Sequence, residues 1–202
     1  MTGKRRAETM EANRARLITA ARQAFAASGF AAASMDELTA KAGLTRGALY
    51  HSFGSKEGLL AAVVAQVDGE MAARAQRAAA GAANAWDGLL AEATAYIEMA
   101  LDPEIRRIVL LDGPAFLGDP SQWPSQNACL EVTKQAVGGL ISEGIMKPVD
   151  IEAASRLLSA AAFDAALWVA ASEKPHVALP KATHAFRIMA EGFLSAPPSH
   201  GA

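Results

Sequence analysis

One cysteine, Cys129, is the only thiol in this 202-residue chain. No internal disulfide can form, and no cysteine-rich metal site can be assembled. The four histidines (His51, His176, His184 and His200) show no metal-ligand spacing. The nucleophile elbow G-x-S-x-G, a glycine-rich phosphate loop and the zinc motif H-E-x-x-H are all missing. Catalytic residues, metal sites and cofactors are therefore not expected, and the chain does not read as an enzyme. The longest apolar run, around 160–171, is interrupted by Asp164 and reads as too short to span a bilayer. The N-terminus is basic but lacks the apolar stretch of a signal peptide. No membrane partner and a cytoplasmic location are expected.

Neither sign of charge dominates: the formal net charge is −2. The distribution is more informative than the sum. Residues 1–58 hold nine Lys/Arg against five Asp/Glu, and the rest of the chain holds ten against sixteen. A basic segment on an acidic body fits a nucleic-acid partner, the basic part supplying the salt-dependent phosphate term. The cluster Lys4-Arg5-Arg6 can be read as a flexible arm adding phosphate contacts or as a solubilising terminus. With 51% apolar residues, the chain can bury one or two real cores.

Most of the information lies in 34–56, SMDELTAKAGLTRGALYHSFGSK. Ser34 is a good N-cap, and Glu37 three residues on completes a capping box. Met35, Leu38 and Ala42 recur at helical spacing, and Gly43 ends that helix. Thr45 caps a second helix, Gly54 stops it, and Ser55 caps a third. At 100° per residue the middle helix places Arg46, Gly47, Tyr50 and His51 on one arc. Ala48, Leu49, Ser52 and Phe53 fall on the other. The first arc combines a charged fork, a phenol, an imidazole and a position with no side chain, which allows a close approach. Arginine can grip phosphate or read guanine, and tyrosine hydroxyls bond to phosphate oxygens. Lys56 opposes the positive end of its helix dipole, which an anion on that terminus would offset.

Upstream, Leu17, Ala21, Ala24 and Phe25 form the inner stripe of a long first helix, and Phe30 closes a small three-helix core. Downstream, Leu59, Leu60, Val63, Val64, Val67 and Met71 run at helical spacing toward Ala80, with a break at 81–84. Helices are predicted over 86–101, 104–111 (interrupted by Gly113-Pro114), 127–142, 151–172 and from Pro180 to about Leu194, with 118–126 a loop. No segment alternates with period two, so the fold class is all-α. The predicted organisation is a DNA-binding domain over 1–58 (1–12 a flexible arm), a helical domain over 59–195, and a disordered tail over 196–202.

Residues from about Arg14 to Leu60 resemble the DNA-binding domain of the TetR family of transcriptional regulators. The resemblance rests on AFAASGF at 24–30, SMDELTAKAGLTRGALYHSF and GSKEGLL. It implies that Ser34 and Lys56 touch phosphate, that Arg46 and Gly47 face base edges, and that Tyr50 and His51 meet the backbone or groove wall. Thr45, capping the same helix, belongs with this DNA-facing set. Ser52 stands where many relatives carry a histidine. The segment 106–118, with LLDGPAFLG, resembles a ligand-domain type of the same family. Together these imply a repressor that binds a palindromic site on double-stranded DNA as a homodimer and is released by a small-molecule effector of unknown identity. The alternative is a constitutive DNA binder without an effector.

For the effector, the candidate lining is Met99, Asp112, Phe116, Trp123, Asp164 and Trp168, with Met146 further out. Aromatic and Met side chains at helical spacing equally suit plain core. Asp112 and Asp164 are acids in apolar sequence, and a buried lone carboxylate is costly unless paired. Either serves a cation, pairs with Arg106, Arg107 or Arg156, or faces solvent. Residues 151–172 are rich in Ala and Ser, which permits close helix packing against a partner or within the monomer. The candidate dimer contacts are Leu158, Ala162, Phe163, Ala166 and Phe186.

Overall fold

The structure, a computed structural model, describes residues 2–195, with side chains from Arg5 onward. The tail expected to be disordered, 196–202, lies outside the described residues. Ten α-helices follow one another among the described residues: α1 Thr2–Ser28, α2 Met35–Lys41, α3 Arg46–Phe53, α4 Lys56–Ala80, α5 Ala85–Glu98, α6 Pro103–Ile105, α7 Gly113–Leu117, α8 Pro124–Ser142, α9 Ile151–Ala171 and α10 Pro175–Glu191. A π-helix, Arg106–Asp112, joins α6 to α7. An isolated antiparallel bridge, Met146 to Leu194, is all the β pairing present among these residues. The fold is all-α.

Two compact units emerge. The first contains residues up to Asp68 together with Pro103–Pro120; the second contains Gly69–Asp102 and the chain from Ser121 onward. The boundary predicted at 58 falls inside the first turn of α4.

In the first unit, Leu17, Ala21 and Phe25 of α1 are buried with Leu38 of α2, Leu49 of α3 and Leu59, Leu60 and Val63 of α4. Phe30 completes this core, edge-on to Phe25 with ring centroids 5.5 Å apart. The capping signals act as the sequence indicates. Ser34 Oγ accepts from the Glu37 amide at 3.4 Å, Thr45 Oγ1 from Ala48 at 3.2 Å, and Ser55 Oγ from Gly58 at 3.0 Å. Gly43 and Gly54 take positive φ, +61° and +74°, where a side chain would be strained. Residues 2–12, predicted as a flexible arm, continue α1 as helix.

The same unit recruits 103–117. Arg22 grips Glu104 with a two-pronged pair, Nε to Oε1 at 2.8 Å and Nη2 to Oε2 at 2.7 Å, the strongest geometry for such a contact. The Phe30 amide donates to Asp112 Oδ2 at 2.7 Å, and Arg107 Nη2 donates to the Ser28 carbonyl at 3.4 Å. The interruption predicted at Gly113-Pro114 does not occur. The π-turn widens the backbone ahead of Pro114, whose ring would otherwise meet the carbonyl of Leu110 four residues back.

In the second unit α9 packs against α10, α5 and α8, and α10 also against α5. Ala154, Leu158, Ala166 and Val169 of α9 and Ala182, Phe186 and Ala190 of α10 form the buried faces. Asn84 caps α5 through the Asp87 amide at 2.9 Å, and Asp150 caps α9 through Ala153 at 2.8 Å. Pro180 does not open the last helix. Pro175 does, and Pro180 lies within α10, on its exposed side, where the carbonyl it leaves without a donor can meet water. By length and composition α9, 21 residues, is long and apolar enough to cross a membrane, a test that the core helix of a soluble protein also passes, and Ala154, Leu158, Ala166, Val169 and Ala170 bury one of its faces inside the unit.

Candidate functional site

The arc predicted on α3 is formed. Arg46, Gly47, Tyr50 and His51 are exposed, Leu49 is fully buried, and Ala48, Ser52 and Phe53 are half-buried. Tyr50, 45% exposed, is a large aromatic turned to solvent without a partner wall. A methyl on Gly47 would meet only Thr45 Oγ1, at 3.7 Å. Nothing inside the fold therefore requires glycine there, and the missing side chain leaves room on the outer surface only.

Ser34 and Thr45 use their oxygen lone pairs on backbone amides, so each keeps a hydroxyl proton to donate outward. Arg46 reaches Asp36 of α2, Nη1 to Oδ1 at 3.4 Å, with both side chains more than half exposed. Such a pair is weak and easily exchanged for a phosphate or a base edge. Lys56 is already engaged. Its Nζ stands 4.6 Å from the centre of the Phe30 ring and 3.4 Å from the Ala31 carbonyl. The compensation that its place at a helix N-terminus demands is thus met in part internally. Glu57, next to it, is held below the usual carboxylate range by its own backbone amide and by Ser55.

A contact not anticipated from sequence fixes α3 from behind. Arg14 of α1 donates to the Ser52 carbonyl at 3.0 Å and lies over the Phe53 ring at 4.4 Å. The arginine clamps the far end of α3 while the arc stays open. The sequence signal was an Arg at helical spacing from Leu17, on the edge of the inner stripe.

The second unit contains a cavity of about 80 Å³ walled by α4, α5, α8, α9 and α10. On the measure by which about 10–15 Å³ admits one water, it has room for a small ring or short chain. Its apolar walls include Ala75, Leu90, Leu158, Ala162 and Phe186. The polar residues of the lining include Gln76, Glu92, Tyr96, Gln126, Thr133 and Ser159. Gln126 donates to Tyr96 Oη at 3.3 Å, and Thr133 donates to the Cys129 carbonyl at 3.2 Å. Burial raises the Glu92 pKa above the usual carboxylate range.

The residues predicted to line an effector site lie elsewhere. Met99 and Trp123 are buried in the second unit, Trp123 edge-on to Phe163 at 6.4 Å. Asp164 and Trp168 are exposed on α9. Asp112 and Phe116 belong to the first unit, where Asp112 pairs with Arg107 at 3.4 Å and Phe116 packs on Phe30 at 4.5 Å. Met146 is buried. Of the predicted dimer residues, Leu158, Ala162 and Phe186 face the cavity, Ala166 is fully buried, and Phe163 is half-buried against Trp123. The large apolar side chains left open on α9 and α10 are Ile151, Leu157, Trp168, Val177, Ile188 and Met189.

Two short helices joined by a glycine turn, with a polar arc on the second and a third helix closing the core, define a helix-turn-helix DNA-binding protein. Residues 17–63 match the profile of the bacterial regulatory proteins, tetR family, and residues 86–193 that of the tetracyclin repressor-like C-terminal domain. The chain belongs to the TetR family of transcriptional regulators. A TetR-family transcriptional regulator from Pectobacterium atrosepticum is 43% identical, covering 94% of this chain and 98% of that one, with a TM-score of 0.84. A TetR-family regulator from Streptomyces coelicolor is 25% identical, covering 91% and 96%, with a TM-score of 0.64. RolR, solved in complex with resorcinol, shares the fold at 16% identity over 95% and 97%, with a TM-score of 0.66. A comparison with curated protein sequences gave no match.

Proposed function

We propose that the chain is a repressor that binds a palindromic operator as a homodimer and lets go when a small molecule occupies the cavity of its second unit. What carries this reading is the pairing, in one chain, of an open polar arc on α3 with a cavity whose lining holds a carboxyl group without a partner. The arc is built for a groove: Arg46 and Gly47 for base edges, Tyr50 and His51 for its walls, Ser34, Thr45 and Lys56 for phosphates. One such helix reads a few base pairs, so two copies one turn apart, roughly 34 Å, supply the rest of the site.

The exposed apolar side chains of α9 and α10 support the second copy. Leu157 is 62% exposed, Ile188 57% and Val177 52%. Such a stripe on neighbouring helices is what an isologous interface buries. The effector must favour the shape that cannot bind DNA, because equal affinity for both shifts nothing. A ligand of resorcinol's size, as held by RolR, suits the cavity's dimensions.

Selection of genomic fragments by the purified protein tests the reading. A recovered palindrome with half-sites one turn apart, bound by a species of twice the protomer mass, is the expected result. Salt-sensitive binding with no sequence preference would replace it with the constitutive alternative.

A further inference from the structure

The cavity has one acid and no base. Among the residues that line it there is no Lys, Arg or His. The other polar groups of its α5–α8 wall are already occupied with each other: Gln126 with Tyr96, and Thr133 with the Cys129 carbonyl. Glu92 alone, one helical turn before Tyr96 on α5, has neither a hydrogen bond nor an ion pair with any described residue, and burial is what acts on its carboxyl. A carboxyl kept partly from water and unpaired is costly to the empty protein, and a cation brought to it removes that cost. An organic acid would meet the reverse: a second negative charge, with no cation in the wall to receive it.

We infer that the cavity selects small apolar amines, a protonated nitrogen pairing with Glu92 while a single ring or short chain fills the space between Leu90, Leu158 and Phe186, and that it rejects the corresponding carboxylic acids. This rests on the reading of the cavity as the effector site and adds the ligand's charge class. Size follows from the cavity's volume of about 80 Å³. Charge follows from the wall's composition, and the apolar majority of that wall sets the need for a hydrocarbon body.

The test uses the full chain and three matched probe series: para-alkyl benzylamines, the benzyl alcohols and the benzoates, with alkyl groups from methyl to butyl. Binding is measured by calorimetry, and operator release by fluorescence anisotropy. The amines are expected to bind more tightly than the alcohols, and the benzoates not at all. Glu92→Gln should weaken the amines roughly 10- to 100-fold, the span of one charge-assisted bond. The same change should leave the alcohols within about twofold and so show the cavity intact. Alcohols that bind as well as amines to the unaltered protein, or amines indifferent to Glu92→Gln, overturn the charge class and leave the effector site standing. If no probe of any series binds, or if binding persists when Ala162→Phe fills the cavity, the effector site itself is overturned and the amine class with it.

Discussion

Asp112 and Glu104 are the two acids that hold 103–117 to the rest of the helix-turn-helix unit, and Asp112 does so through a backbone amide. Its Oδ2 receives the amide of Phe30 at 2.7 Å, and Phe30 is 4% exposed, so water cannot substitute for the carboxylate. A hydrogen bond to a charged acceptor contributes about 1.5–3 kcal/mol, and a buried donor left without one carries the full desolvation cost. The Arg107 pair adds little, at 3.4 Å with Arg107 47% exposed: about 0–1 kcal/mol. Asp112→Ala should therefore cost about 2–3 kcal/mol locally, whereas Asp112→Asn, which keeps an acceptor, should cost about 1 kcal/mol. Site-resolved amide exchange is the assay, because a chain of two units need not unfold in one step. With about 1.4 kcal/mol per tenfold, the Phe30 amide should exchange roughly 30- to 150-fold faster in the alanine variant and about fivefold faster in the asparagine one. Operator affinity should fall in the same order, since the Phe30 ring carries Lys56. Equal losses in both variants would refute the reasoning by showing that charge on Arg107, not the amide bond, holds the joint. An unchanged Phe30 amide in Asp112→Ala would refute it outright.

Arg46→Ala should weaken specific DNA binding by about 1–3 kcal/mol and blur discrimination between sites, whereas Lys56→Ala should weaken all sequences alike and lower the salt slope by about one, both read from titrations at several salt concentrations. On α4, a methyl at Gly58 would overlap the Phe53 carbonyl, while one at Gly69 meets nothing within 4 Å. Gly58→Ala should lower the free energy of unfolding by about 1–3 kcal/mol and Gly69→Ala should raise it by about 0.5–1 kcal/mol, both read from denaturant titrations. Glu92→Gln should raise stability near pH 7. Because the folded-state pKa is raised, the native state holds its proton longer and stability falls as pH climbs from the usual 4.5 through the higher folded value. Melting curves should therefore show the variant's gain vanishing below about pH 4. Leu157→Glu with Ile188→Glu should leave the helical circular dichroism unchanged and halve the mass in sedimentation.

What could be read from the sequence was whatever is decided within a few residues. Ser34, Thr45 and Ser55 cap because the amides they serve lie three positions on, and the α3 arc follows from spacing alone. The joint between Phe30 and Asp112 spans 82 residues, and no local pattern announces it. The continuous rod over 103–117 was hidden because Pro114 ordinarily stops a helix, and only a π-turn lets it pass. On α9 the small-residue pattern identified a close-packed face, but that face is internal, and the open one begins one position earlier, at Leu157. The cavity escaped for a plainer reason. The sequence offers large aromatics and methionines as pocket walls, yet large side chains fill space. The void lies where Ala75, Ala93, Ala162 and Ala190 leave it.

The recruitment of 103–120 into the helix-turn-helix unit bears on how this protein can be re-engineered. Regulators of one architecture invite exchange: the reader of one joined to the sensor of another, to rewire which gene answers which chemical. Here the reader is not one continuous stretch. A splice after Asp68 would carry away Arg22 and Phe30 but abandon Glu104 and Asp112 to the other parent. A working hybrid would have to transplant both pieces, the first 68 residues and the later insert, with two sutures in the second unit.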